Sequence, residues 1–261
     1  MLLSAVVYTI PLTFILSSSL RTDENMYDPG QWLPLPATID HYIALWQSDP
    51  LLPRYLFNTM FIAVLSTCGT LVSSSLAGYG LARFKFRGSR AMVGVLLLTL
   101  MVPPQVTLVP LYSAFRVLNL VDTPWPLILP ALFGTPFVTF FFRQYFLGLS
   151  PEFDEAARVD GATWWQVFWR IVAPLSKPAF VTMGLLTLIA QWNGYFWPSV
   201  YLQSKEQWVL SQAIVALSGQ YVNHQGEIMA GIILMSLPMI LLFVVAQRYV
   251  VEGITATGVK G

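Results

Sequence analysis

Residues Ser150 to Pro178 read SPEFDEAARVDGATWWQVFWRIVAPLSKP, a charged, Gly-split, Trp-rich island in a chain otherwise built of long apolar runs. Ser150 is placed to cap a helix and Pro151 suits its first position. Glu152, Asp154 and Glu155 then set negative charge on the positive end of the helix dipole. Asp160-Gly161 is a stop signal. Thr163 followed by Gln166 makes a capping-box start for a second helix. On that helix Trp164, Val167, Phe168 and Ile171 share one face, and Pro174 and Pro178 end it. The pattern predicts two short helices at a bend, held between membrane spans, where another protein can grip this one.

Outward from the island the chain is apolar. Hydrophobic residues make up 56% of it and charged residues 10%, far from the usage of a soluble domain. A span needs roughly twenty mostly apolar residues, and several stretches reach that length. The expectation is an all-α integral membrane protein, one domain over residues 1–261. Its six spans lie near 1–20, 58–82, 91–104, 125–142, 179–201 and 228–246, with the loop 150–178 between the fourth and fifth. A net charge of +1 gives no reason to expect nucleic acid or a polybasic membrane-surface domain. The single cysteine, Cys68, excludes an intrachain disulfide and a Cys-based metal cluster, and reads as a small packing residue.

Met1 to Leu20 lacks the basic start of a signal peptide and reads as a first span, shortened at its beginning and interrupted by Pro11. Arg21 to Tyr55 is a polar loop in which Thr38 is placed to cap a short helix with Tyr42, Leu45 and Trp46 on one side. Ala91 to Leu118 would reach roughly 40 Å as one helix against a hydrocarbon core of about 30 Å. Pro103-Pro104 resolves this by ending the third span and leaving Gln105 to Leu118 as a second, shallower segment. Gln203 to Glu227 reads as a polar loop, and the tail GITATGVKG as too Gly-rich for a helix.

Six spans put both termini on one side. The positive-inside rule makes that side cytoplasmic, because it collects Arg83, Lys85, Arg87, Arg90, Arg143, Arg158, Arg170, Lys177, Arg248 and Lys260. The other side keeps Arg21, Arg54, Arg116, Lys205 and most of the acids, together with His41 and His224. The island is then cytoplasmic.

Every Asp, Glu, Lys and Arg falls outside the cores of these spans. An ion-coupled sugar carrier would more often show a buried charge, and a membrane-embedded hydrolase would need an acid, base, nucleophile or metal site. Both stand as alternatives. Ser73, Ser74 and Ser75 have no titratable neighbour in sequence to activate them, and small residues at a close helix contact explain them better. No catalytic or metal-ligating residue is assigned. Energy for any transport then has to enter from outside the spans.

Glu155-Ala156-Ala157, three residues, Gly161, nine residues, then Ile171-Val172-Ala173-Pro174 resembles the cytoplasmic signature loop of permease subunits of binding-protein-dependent ABC importers. The usual ending is Ile-x-Leu-Pro, so Ala173 departs from it. The segments Tyr79–Gly88, Met101–Tyr112, Gln191-Trp192-Asn193 with Trp197-Pro198, and the tail from Glu252 look like the carbohydrate-uptake branch, the second permease of a pair, of the maltose and glycerol-phosphate type. The resemblance covers nearly the whole chain. It implies the type I importer permease fold, in which the loop is a coupling helix docked in a groove of a cytoplasmic ATPase.

Carried onto this chain, Glu155 would pair with a basic residue of the ATPase and Ala156 and Ala157 would permit close approach. Asp160 and Gly161 would make the bend, and Ile171 and Pro174 would complete the loop. The alternative is a solvated amphipathic linker on the bilayer surface, which the acids beside an anionic leaflet argue against. The resemblance also implies that Gly253, Gly258 and Lys260 of the tail reach the ATPases. No cofactor belongs to this chain; ATP and Mg would be held by the ATPases.

The implied partners are a second, distinct permease in a heterodimer, two ATPase subunits, an extracytoplasmic solute-binding protein and membrane lipid, in a bacterial or archaeal cytoplasmic membrane. The chain by itself would be no enzyme. Gln191, Trp192, Asn193, Tyr195 and Trp197 form a candidate substrate pathway: aromatic faces stack on sugars and amides bond hydroxyls without charge. An interfacial aromatic belt with interhelical amide contacts explains the same residues.

Overall fold

A bilayer offers no water to backbone N–H and C=O groups, so a chain this apolar satisfies them within its own helices. The computed structural model describes the backbone of residues 2–25, 32–220 and 225–258, with side chains within 7–25, 32–218 and 225–248. Among the described residues there is no strand. In chain order the α-helices are α1 Leu2–Ser19, α2 Asp40–Ser48, α3 Leu52–Arg83, α4 Ser89–Leu100, α5 Leu108–Val117, α6 Trp125–Leu132 and α7 Pro136–Gly148. They continue with α8 Glu152–Val159, α9 Trp164–Val167, α10 Ala173–Leu175, α11 Lys177–Trp192, α12 Phe196–Tyr201, α13 Leu210–Gln220 and α14 Gln225–Gly258.

Among the described residues three segments are long and apolar enough to cross a membrane on their own: α3, Trp125–Gly148 and Gln225–Arg248. Two more qualify as bent pairs. Ser89–Leu100 turns by 94° into Pro104–Val117, and Trp164–Leu175 turns by 79° into Lys177–Trp192. The first bend falls at Pro103-Pro104, where the ring of each proline blocks a helical continuation. The apolar segment Val7–Ser19 is shorter. Helix α1 passes through Pro11 without ending.

Several expected boundaries move. Helix α3 starts at Leu52, ahead of residue 58. Helix α7 continues past Phe142 to Gly148, which places Arg143 inside a helix. The expected span 179–201 is interrupted: α11 stops at Trp192 and α12 resumes at Phe196. The expected loop 203–227 contains α13, whose Leu210 is fully buried. The tail is helical through Gly253 and Gly258. Each glycine costs a helix only about 1 kcal/mol, and extending a helix already nucleated over apolar turns is far easier than starting one. His224 and Lys260 lie outside the described residues.

Contacts divide the chain into two compact units, Met1–Met60 with Asn193–Leu241, and Phe61–Trp192 with Leu242–Gly261. In the first, Leu45, Tyr55, Leu210, Ile214 and Ala230 form the core. The Thr59 hydroxyl donates to the Tyr55 carbonyl at 2.7 Å and accepts from Leu210 N–H at 2.8 Å, capping the start of α13. Helix α2 buries His41 and Leu45, one turn apart, and leaves Trp46 exposed. Its inner face is therefore turned from the expected Tyr42–Leu45–Trp46 side, because the His41 ring finds a partner in the Arg21 carbonyl, 2.7 Å away.

In the second unit a ladder of small residues on α3 lies against α6 and the start of α7. Ser66 donates to the Leu127 carbonyl and Thr70 to that of Ala131. Ser73 bonds the Leu132 carbonyl, and Ser74 Oγ accepts from Thr135 N–H at 3.0 Å. The contact lies where α6 gives way to α7 at Gly134, whose φ is +81°, and the Ala131 carbonyl also accepts from Gly134 N–H. The serines thus serve a close helix contact. Cys68 is exposed, not a packing residue of the core.

Candidate functional site

The island is built as a helical hairpin on the core of the second unit. Ser150 Oγ accepts from Glu152 N–H at 3.3 Å, and Pro151 occupies the cap position itself, one place earlier than expected. Gly161 N–H bonds the Arg158 carbonyl and Ala162 N–H bonds the Ala157 carbonyl. These two bonds with Gly161 at φ +85° make a Schellman stop for α8. Thr163 and Gln166 exchange both bonds of a capping box, at 2.8 and 3.3 Å, and open α9.

The turn that follows, Phe168–Val172, is a π-helix. Pro174 has no N–H for the preceding turn and crowds its carbonyl, a strain that a π turn relieves. The extra residue in that turn rotates the inward face. Val167, Phe168 and Val172 are buried, Ile171 is only partly so, and Trp164 is exposed. Trp164 instead packs edge-on to Phe84 at 5.0 Å, with the Arg158 guanidinium 5.2 Å over its ring. Helix α10 carries Pro174 on to Leu175, so the bend into α11 falls at Ser176, after Pro174 and before Pro178.

The two sides of α8 differ in chemistry. Ala157 joins a cluster with Tyr79, Phe142, Phe146, Phe168 and Val172. Asp154, one turn earlier, is 3% exposed and takes Arg83 Nε on its Oδ2 at 2.5 Å. Glu152, Glu155, Ala156 and Asp160 face outward, as does Gly161. The outer side therefore offers three carboxylates beside Ala156 and Gly161, together with exposed Phe153, Arg158 and Val159. Of the sequence-assigned residues, Ala157 and Ile171 are anchors of the hairpin, whereas Glu155, Ala156, Asp160, Gly161 and Pro174 are at its surface.

Sequence reasoning placed Asp154 among the acids of the helix dipole and missed its pairing. The three-residue spacing of Asp154 and Ala157 was the available sign that both share the inner face. Arg83 is far off in sequence, and nothing local joins it to Asp154.

The candidate substrate residues do not all present themselves. Trp192, at the end of α11, is 7% exposed, while Gln191 is partly buried. In the other unit Asn193 and Tyr195 are exposed, and Trp197 stacks on Tyr201 with centroids 6.2 Å apart. Ser211 Oγ donates to the Gly194 carbonyl at 2.6 Å and holds the interruption open. Among the described residues no three of His, Cys, Asp and Glu are placed to hold a metal ion.

Residues 51–256 match the model of the family described as binding-protein-dependent transport system inner membrane component. The chain is 35% identical over 260 residues to the arabinooligosaccharides transport system permease protein AraQ of Bacillus subtilis (strain 168), covering 98% of this chain and 92% of that one. It is 32% identical over 256 residues to the trehalose transport system permease protein SugB of Mycobacterium tuberculosis, covering 97% and 92%. Among solved structures, a chain of a bacterial ABC transporter that imports the acidic polysaccharide alginate superposes with a TM-score of 0.82 at 27% identity, over 95% of this chain and 92% of that one. The family is one of transport components, not of enzymes. With its apolar helices, its hairpin of α8 and α9 and these relatives, this chain belongs to the binding-protein-dependent inner membrane components, the type I permease subunits of ABC importers.

Proposed function

We propose that this chain forms half of the translocation path of a carbohydrate importer, passing a sugar from an extracytoplasmic binding protein to the cytoplasm. The observation that carries the reading is the exposed acidic and small-residue side of α8, mounted through Ala157 and Asp154 on a membrane helix. Support for the sugar comes from relatives named for arabinooligosaccharides and trehalose. A second, distinct permease completes the path, and two cytoplasmic ATPases, which hold ATP and Mg, drive it. Outer segments 21–55 and 203–227 receive the binding protein.

In this reading the chain crosses a bacterial or archaeal cytoplasmic membrane six times with both termini inside. The spans are α1, α3, α4, Trp125–Gly148, α11 and α14. Helix α8 docks on the ATPase through Glu155, Ala156, Asp160 and Gly161, and the tail from Gly253 reaches toward the same subunits. Asn193, Tyr195 and Trp197 face the solute path. Alternate access follows ATPase closure, which drives the docked helices toward each other.

The test is uptake by the complete assembly in proteoliposomes, using whichever sugar the cognate binding protein retains. Uptake is expected to require MgATP and the binding protein and to ignore a proton gradient. Gradient-driven uptake with no nucleotide would overturn the reading in favour of an ion-coupled carrier.

A further inference from the structure

Arg83 is the last residue of α3, and its guanidinium grips two different parts of the hairpin's entrance. Nε donates to Asp154 Oδ2 at 2.5 Å, inside α8, and Nη2 donates to the Leu149 carbonyl at 3.1 Å, just ahead of that helix. Both charged side chains are withdrawn from solvent, with 10% of the Arg83 side chain and 4% of the Asp154 side chain exposed. The other carboxylate oxygen, Asp154 Oδ1, is buried with no hydrogen bond. Arg83 is therefore the cation that pairs the buried charge of Asp154.

One turn earlier on α3, Tyr79 sets its hydroxyl beside the Asp154 carboxylate and its ring in the cluster that holds Ala157. That ring meets Phe168 of the hairpin and Phe146 of α7, with centroids 5.3 and 5.9 Å apart. Ring pairs are satisfied over a range of centroid separations, about 4.5–7 Å, whereas a guanidinium with two fixed acceptors sets register and direction. A buried pair adds little net stability over an apolar replacement, and specificity of arrangement is the better account of its presence.

We propose that Arg83 and Asp154 are a strut: positioning residues that make α8 and the cytoplasmic end of α3 move as one body, so that a displacement imposed on α8 reaches the membrane span. This rests on the reading that α8 is the helix gripped by the ATPase. Neither residue touches the ATPase or the solute in this scheme. They act through the helices they join.

The test uses the complete assembly in lipid nanodiscs, with Cys68→Ser as background and nitroxides on Val72→Cys of α3 and Val159→Cys of α8, both exposed positions. Their distance is measured by pulsed electron resonance, without nucleotide and after trapping with MgATP and orthovanadate. The strut requires one narrow distance in both states. Arg83→Ala and Asp154→Ala should each broaden it and make it shift on trapping, and the exchange Arg83→Asp/Asp154→Arg should restore it. Should single variants fail to insert, the pair Arg83→Gln/Asp154→Asn, which strands no charge, carries the same readout. Distances in these variants that stay narrow and unmoved by trapping overturn the strut. A cross-linking cysteine at Glu155 separates the two readings. Failure to capture the ATPase removes the docking on which the proposal rests, whereas capture with unchanged distances overturns the strut alone.

Discussion

Gly226 lies directly under the imidazole of His41: a Cβ built on it would stand 2.2 Å from Cε1 of that ring. Nε2 of the ring is tethered to the Arg21 carbonyl at 2.7 Å, so a retreat of the ring costs that bond. A carbonyl can only accept, so Nε2 is the protonated nitrogen. Gly226→Ala should therefore lower Tm, by about 2–4 °C for each kcal/mol of overpacking, which is typically about 1–3 kcal/mol. His41→Ala in the same chain removes the obstacle and should recover most of the loss, measured by thermal unfolding in detergent.

Gly161 has open space around its missing Cβ and a φ of +85°. Within this chain, a substitution there acts on the fold through the backbone. Gly161→Leu should strain the turn by about 1–2 kcal/mol and loosen the Schellman stop. Membrane insertion should survive while solute moved per ATP hydrolysed falls. Gly161→Asn, which tolerates this region, should keep most of the coupling. Equal loss in both variants would point to a contact at Gly161 in place of a backbone requirement.

Glu155 is exposed, one residue beyond buried Asp154. Glu155→Gln should leave stability within about 0.5 kcal/mol of the parent. Its expected effect is on assembly, with less ATPase retained on co-purification and a larger loss at high salt. Full retention at all salt concentrations would remove Glu155 from the docking surface.

Ser74 satisfies the Thr135 N–H at 3.0 Å where α6 gives way to α7. Ser74→Ala leaves that donor unpaired and should cost about 1–3 kcal/mol, read as a lower Tm. Transport per assembled complex should be unchanged, as it would not be for a nucleophile.

The caps of the hairpin were legible because they are local. Thr163 and Gln166 are three residues apart, and Asp160-Gly161 carries its own conformational preference. The break at Pro103-Pro104 was legible for the same reason: a missing N–H acts within one turn. Helix α13 was not, since a short apolar segment reads equally as loop, re-entrant piece or buried helix until Thr59 and the core around Leu210 are known to face it.

From composition and spacing alone it follows that the chain is helical, membrane-embedded and fitted with a polar hairpin, because burying apolar length and capping a helix are decided by neighbours in sequence. Tertiary structure alone decided which acid of α8 turns inward, how the π turn shifts the buried face from Ile171 to Val172, and that Arg83 meets Asp154. Those choices depend on groups far apart in the chain, and a buried charge finds its partner only once packing has brought the two together.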